Sequence, residues 1–74
     1  MFLATMETQH FSFQALGADE DAAERAIHRG WVAHCRQYDA YEQSLEELRE
    51  NFGINVHPIE MNECLRDGTP LGVK

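Results

Sequence analysis

Two short runs of alternating apolar residues, followed at Gly17 by a change of period, constrain this chain more than any other feature. Phe2, Ala4 and Met6 alternate with Leu3, Thr5 and Glu7, and Phe11, Phe13 and Ala15 repeat the pattern against Ser12 and Gln14. A period of two is the signature of a strand with one buried face. Only Thr8-Gln9-His10 separates the runs, a length that suits a hairpin. Beyond Gly17 the spacing becomes helical. Ala23, Ala26, Ile27, Gly30, Trp31, His34 and Tyr38 fall on one stripe, while Arg25, Arg29 and Arg36 fall away from it. Asp19 is the expected N-cap, the acidic Glu20 and Asp21 suit the positive end of the helix dipole, and the helix should end near Gln37 or Tyr38. Gly30 inside this helix costs about 1 kcal/mol relative to alanine. The expected compensation is a close approach of helix to sheet beside Trp31.

A second helix is marked by Ser44 with Glu47 three residues later, a capping-box pattern, and by Gly53 before Ile54 as a left-handed stop. Leu45, Leu48 and Phe52 form its apolar face, which Tyr41 would extend by a turn. Ile54 and Val56 begin a third strand. Pro58 cannot donate to a ladder, so this strand is expected at an edge or to bulge there, and the shift of apolar phase to Ile59 and Met61 also suggests a bulge. Asp67-Gly68 is a turn signal for a small terminal hairpin, which Pro70 weakens; residues past Leu71 carry no pattern and are expected to be loose. The expected fold is α+β, in the order β-β-α-α-β, with a small antiparallel sheet, two helices packed on one face and a C-terminal hairpin.

A chain of 74 residues is expected to form a single domain, residues 1–74. At this size folding buries about 60% of the unfolded surface, so one small core forms with little margin and pairing with a second copy would help. Six basic against 13 acidic residues give a net charge of −7. Phosphate backbones and anionic lipid favour Lys and Arg, which argues against direct binding to nucleic acid or membrane. A basic protein surface would instead be attracted. The opening MFLATMETQ lacks a basic n-region and a long apolar stretch, so a cytoplasmic location with reduced thiols is expected.

Little in the chain looks like chemistry. It has no phosphate-cradling glycine loop, no G-x-S-x-G and no H-E-x-x-H. Cys35 and Cys64 are far apart and read as small buried hydrophobes. His34 points about 100° away from Cys35 on a helix and cannot serve it as a base. His28 and His34, six residues apart, do not share a face, and His10 and His57 would meet only through a particular strand order. Neither catalysis, cofactor nor metal is expected. Trp31 reads as a core anchor, with a hot spot in an interface as the alternative; Phe2, Phe11 and Phe13 read as core.

The acidic residues form two sets. Asp19, Glu20, Asp21 and Glu24 gather at a helix start, where they have a structural explanation. Glu42, Glu46 and Glu50 lie at i, i+4 and i+8, with Glu47 beside them and only Arg49 nearby. Like charges at this spacing repel by roughly 0.2–0.5 kcal/mol per pair, so folding does not ask for the row. The row is continuous on the helix if the helix begins near Ala40, and shorter if it begins at Ser44. These four residues are the candidate partner-binding site.

In size, charge and element order the chain resembles the small anti-CRISPR and anti-restriction proteins of phages and mobile elements. That resemblance implies a non-enzymatic inhibitor that occupies a basic nucleic-acid channel. The passage FSFQALGADEDAAERAIHRG, from Phe11 to Gly30, is similar to the strand-to-helix segment of HicB-like antitoxins. The expected function is therefore an acidic protein that docks on a basic nucleic-acid-binding protein and inhibits it by charge steering and steric occlusion. The competing expectation is an antitoxin-like or structural module that buries an apolar surface as a homodimer.

Overall fold

The computed structural model describes residues 1–60 together with the backbone of residues 65–66 and 69–70. Among the described residues the elements follow in the order β1 (Phe2–Glu7), β2 (Ser12–Gly17), α1 (Glu20–Tyr38), α2 (Leu45–Asn51), β3 (Asn55–Pro58), β4 (Leu65–Arg66) and β5 (Thr69–Pro70). The first three strands form one antiparallel sheet in the order β2-β1-β3, and β4 pairs with β5 in a separate two-stranded ladder. This is the α+β fold, in the order β-β-α-α-β, that the patterning predicts, and the terminal ladder forms despite Pro70. Met61, Cys64, the Asp67-Gly68 pair and the residues past Leu71 lie outside the described residues.

Hydrophobic alternation sets the register. Met6 stands opposite Phe13, and Ala4 lies between Ala15 on one side and Val56 on the other, so one face collects these side chains. Helix α1 lies on that face. Its Ala23, Ile27, Trp31 and Cys35 form an i, i+4 row that packs on Ala4 and Met6, and α2 adds Leu48 to the same cluster. Phe2, Phe13, Ala15, Ile54 and Val56 pack around it, half buried.

Local signals end the helices where the sequence places them. The Asp19 carboxylate accepts from the Ala22 N–H at 2.7 Å. At the other end Asp39 adopts a left-handed conformation, φ 54°, and its N–H donates to the Cys35 carbonyl. On α2 the capping box is complete: the Glu47 N–H donates to Ser44 Oγ and the Ser44 N–H donates to Glu47 Oε1. Gly53, at φ +79°, supplies the left-handed stop and donates back to the carbonyls of Leu48 and Arg49.

Four expectations are corrected. The close helix–sheet approach is at Gly17, not Gly30. A Cβ on Gly17 would stand 2.2 Å from the Ala23 nitrogen, whereas one on Gly30 meets nothing within 4 Å. Second, β3 has no bulge at Pro58. The register runs without a break from Asn55 opposite Thr5 to Pro58 opposite Phe2, and the Ile59 N–H continues it to the Met1 carbonyl. That last bond makes the odd-numbered residues of β3 the ones whose backbone groups face β1. Pro58 therefore turns its missing donor outward and costs no ladder bond. Third, Phe11 lies outside β2 in the hairpin turn and is 45% exposed, because its backbone is held by Thr8 rather than by a strand. Fourth, Leu3, expected on the solvent side, is 3% exposed on the sheet face opposite α1, between Leu16 and His57.

Candidate functional site

The row of glutamates is divided by the start of α2. Ser44 is the N-cap, so Glu42 lies in the segment before the helix and Glu46, Glu47 and Glu50 lie on it. The segment from Ala40 to Ser44 is tied to α1 by side chains of α1. His28 Nε2 donates to the Gln43 carbonyl at 3.1 Å, and the Cys35 thiol donates to the Tyr41 carbonyl at 3.3 Å. Arg36 Nε bonds Glu42 Oε2 at 3.2 Å. Gln43 also accepts at its side chain from Asn51 at 2.6 Å. Glu42 is thus held next to the helix by a pair that is itself exposed. Such a pair contributes about 0–1 kcal/mol.

Glu47 has a structural task. Its carboxylate accepts from the Ser44 N–H and from the Tyr41 hydroxyl at 3.2 Å. The Ser44 backbone hydrogen bond is the main reason its carboxyl sits below the usual glutamate range, with the Tyr41 hydrogen bond adding to it. The same charge pushes the Tyr41 phenol above its ordinary value, and the hydrogen bond adds to that.

Arg49 does not relieve the row. It crosses to α1 and donates from Nε, at 2.8 Å, and from Nη2 to Oε2 of Glu24. Glu24 therefore belongs to the α1–α2 contact as well as to the acidic start of α1. With Arg36 on Glu42 and Arg49 on Glu24, the exposed Glu46 and Glu50 have no cationic partner among the described residues. They stand one turn apart, on the side of α2 opposite the buried Leu48.

Cys35 is buried and its thiol is pushed up, mainly by burial and further by the charge of Glu42, which disfavours the nucleophilic thiolate. His57 stands opposite Leu3 while His10 lies in the turn past Glu7, so these two do not meet. Among the described residues no group of His, Cys, Asp and Glu could hold a metal ion. No helix among them is long and apolar enough to cross a membrane.

A run of aromatic rings was not foreseen as a unit. His34 lies at the centre, with ring centroids 4.7 Å from Phe11, 4.8 Å from Tyr38, 5.4 Å from Phe13 and 5.5 Å from Trp31. Phe52 extends the run from Trp31 at 5.6 Å. Trp31 is buried as expected of a core anchor, whereas Phe11, Tyr38 and Phe52 are exposed at its ends. The i, i+4 pair His34 and Tyr38 was the available signal. Phe11 joins them only because of where the hairpin turn falls.

No family model matches this chain, and neither a characterised protein nor a solved structure matches it.

Proposed function

We propose that this chain is a non-enzymatic acidic binding protein of the anti-CRISPR or anti-restriction type. It docks the outer face of α2 on a basic nucleic-acid-binding protein and blocks the channel that the nucleic acid would use. One observation carries the reading. Arg36 and Arg49 are bonded to Glu42 and Glu24, which leaves Glu46 and Glu50 exposed, with no cationic partner among the described residues, on a chain of net charge −7. Opposite charge on the partner raises the encounter rate and fixes orientation more than it raises affinity.

Within this reading the four predicted residues have different roles. Glu46 and Glu50 make the direct contacts. Glu47 holds the first turn of α2 and contributes field from behind its cap. Glu42 is partly neutralised by Arg36, and its removal would release a cation onto the same face.

The test is capture of partners from nuclease-treated host lysate with tagged wild type and with the Glu46→Gln/Glu50→Gln variant, which leaves cap and ion pairs in place. Recovery of a nucleic-acid-handling protein by the wild type alone is the expected result. Equal recovery by both would move the interface off this face, and recovery of no such protein by either would remove the inhibitor reading.

A further inference from the structure

The two edges of the three-stranded sheet differ in what they offer to another strand. We infer that β2 pairs with β2 of a second copy, antiparallel about a two-fold axis at Gln14, to give a continuous six-stranded sheet. This goes beyond the acidic-face reading and does not rest on it.

Backbone parity identifies the groups available. The Ile59 N–H bond to the Met1 carbonyl turns the odd residues of β1 toward β3, and therefore its even residues toward β2. The Thr8 N–H bond to the Phe11 carbonyl, one step beyond the last pair of the β1–β2 ladder, independently gives the same parity. Phe13, Ala15 and Gly17 thus bond β1, and Ser12, Gln14 and Leu16 turn their N–H and C=O groups to the open edge. All three are exposed, and Leu16 is 55% exposed.

An antiparallel two-fold pairing joins residues whose numbers have a constant sum. Only an even sum keeps like faces together and sets outward groups against outward groups. Within β2, Gln14 opposite Gln14, with Ser12 opposite Leu16 on each side, uses every outward donor and acceptor in the strand. The six pairs of the β1–β2 register show no bulge that would bend this edge away.

Exposed edges are ordinarily blunted by charge, proline, bulges or shortness. β3 is blunted: it has four residues, and Pro58 removes an outward donor. The sequence of β2, Ser-Phe-Gln-Ala-Leu-Gly, has neither proline nor charge. In a chain of net charge −7 an uncharged edge is the surface on which a second, equally acidic copy can approach without like charges facing each other. A foreign strand would make the same backbone bonds. The second copy is favoured because the strand is complementary to itself and closure consumes both edges.

The adjacent flank of α1 is shaped for the same contact. Glu24, His28 and Cys35 mark the side of α1 that holds α2 and the segment before it. On the opposite side, toward the β2 edge, lie Ala22, Ala26, Gly30 and Ala33, small and uncharged. Gly30 has open space where a Cβ would stand, so nothing among the described residues of one copy accounts for a glycine there. A second α1 approaching across the new seam does.

Sedimentation velocity of the full chain from low-micromolar to sub-millimolar concentration tests the pairing. The wild type should pass from 8.5 kDa to twice that mass, and the Ser12, Gln14 and Leu16 amides should gain protection from hydrogen exchange over the same range. Gln14→Lys sets like charges face to face at the axis and should raise the dimer dissociation constant roughly tenfold or more, with the circular dichroism of the monomer unchanged. Gly30→Leu should also weaken the dimer while raising the melting temperature of the monomer. A chain that stays monomeric throughout overturns the proposal. So does a dimer that Gln14→Lys and Gly30→Leu both leave intact, or one whose β2 amides exchange as in the monomer.

Discussion

Replacing glycine by alanine at two positions should move the stability of this protein in opposite directions. At Gly17 the new methyl would stand 2.2 Å from the Ala23 nitrogen and 2.7 Å from the Ala22 carbonyl carbon and the Ala23 Cα. All three are backbone atoms of the first turns of α1, so no side-chain rotation relieves the overlap. The start of the helix must lift by more than an ångström, against the Asp19 cap and the burial of Ala23 and Ile27. Overpacking of this kind costs about 1–3 kcal/mol, and rigid neighbours place Gly17→Ala near 3 kcal/mol. Stability of about 4–11 kcal/mol is expected for a domain of this length, so that is a large share of the whole. The melting temperature should fall by roughly 12–24 °C. At Gly30 the methyl enters open space within a helix, where alanine is favoured by about 1 kcal/mol, and the melting temperature should rise by roughly 4–8 °C. Thermal and urea unfolding, both at concentrations low enough to keep the chain monomeric, measure the pair. A Gly17→Ala variant as stable as wild type, or a Gly30→Ala variant less stable than it, would refute the docking of α1 described here.

Other substitutions probe the remaining contacts. Leu48→Ala empties a fully buried position where α2 joins the core cluster and should cost about 2–5 kcal/mol in urea unfolding. Ser44→Ala removes the cap of α2 and should cost about 0.5–2 kcal/mol. Because the Glu47 carboxyl is depressed in the folded state, the stability it brings is present above its unfolded value and lost as pH falls through its folded value. Glu47→Gln keeps a capping partner but does not titrate, so its stability should fall less than that of wild type on acidification below about pH 4.3, followed by circular dichroism. Since the charge of Glu47 is what chiefly raises the Tyr41 phenol, the same variant should bring the ultraviolet titration of Tyr41 to lower pH.

What could be read without coordinates was what neighbours in sequence decide. Alternation in residues 2–15 disclosed the hairpin, and Asp19, Ser44 with Glu47, and Gly53 marked helix ends because each satisfies backbone groups a few residues away. Pairings between distant elements were not legible. Arg49 lies among the glutamates of α2 in sequence, yet it bonds Glu24 on α1, and Arg36 turns to Glu42 across the end of α1. The strand order β2-β1-β3 likewise depends on β3 returning beside β1 after two helices. Gly17 and Gly30 illustrate the same limit. One ends a strand and the other interrupts a helix, and only the crossing of α1 over the end of β2 shows which needs to be glycine. At the candidate site, spacing identified Glu46 and Glu50 as a pair on one face, whereas the commitment of Glu47 to Tyr41 required the fold of the preceding segment.

In the proposed function the outer carboxylates of α2 guide this protein to a basic partner. The most direct test is the association rate with the captured nucleic-acid-binding protein, measured against ionic strength for the wild type and for Glu46→Gln/Glu50→Gln. The wild type should associate faster at low salt, with a steep dependence, and the variant should be slower with a flatter one. Identical rates and identical salt dependence for the two proteins would contradict it.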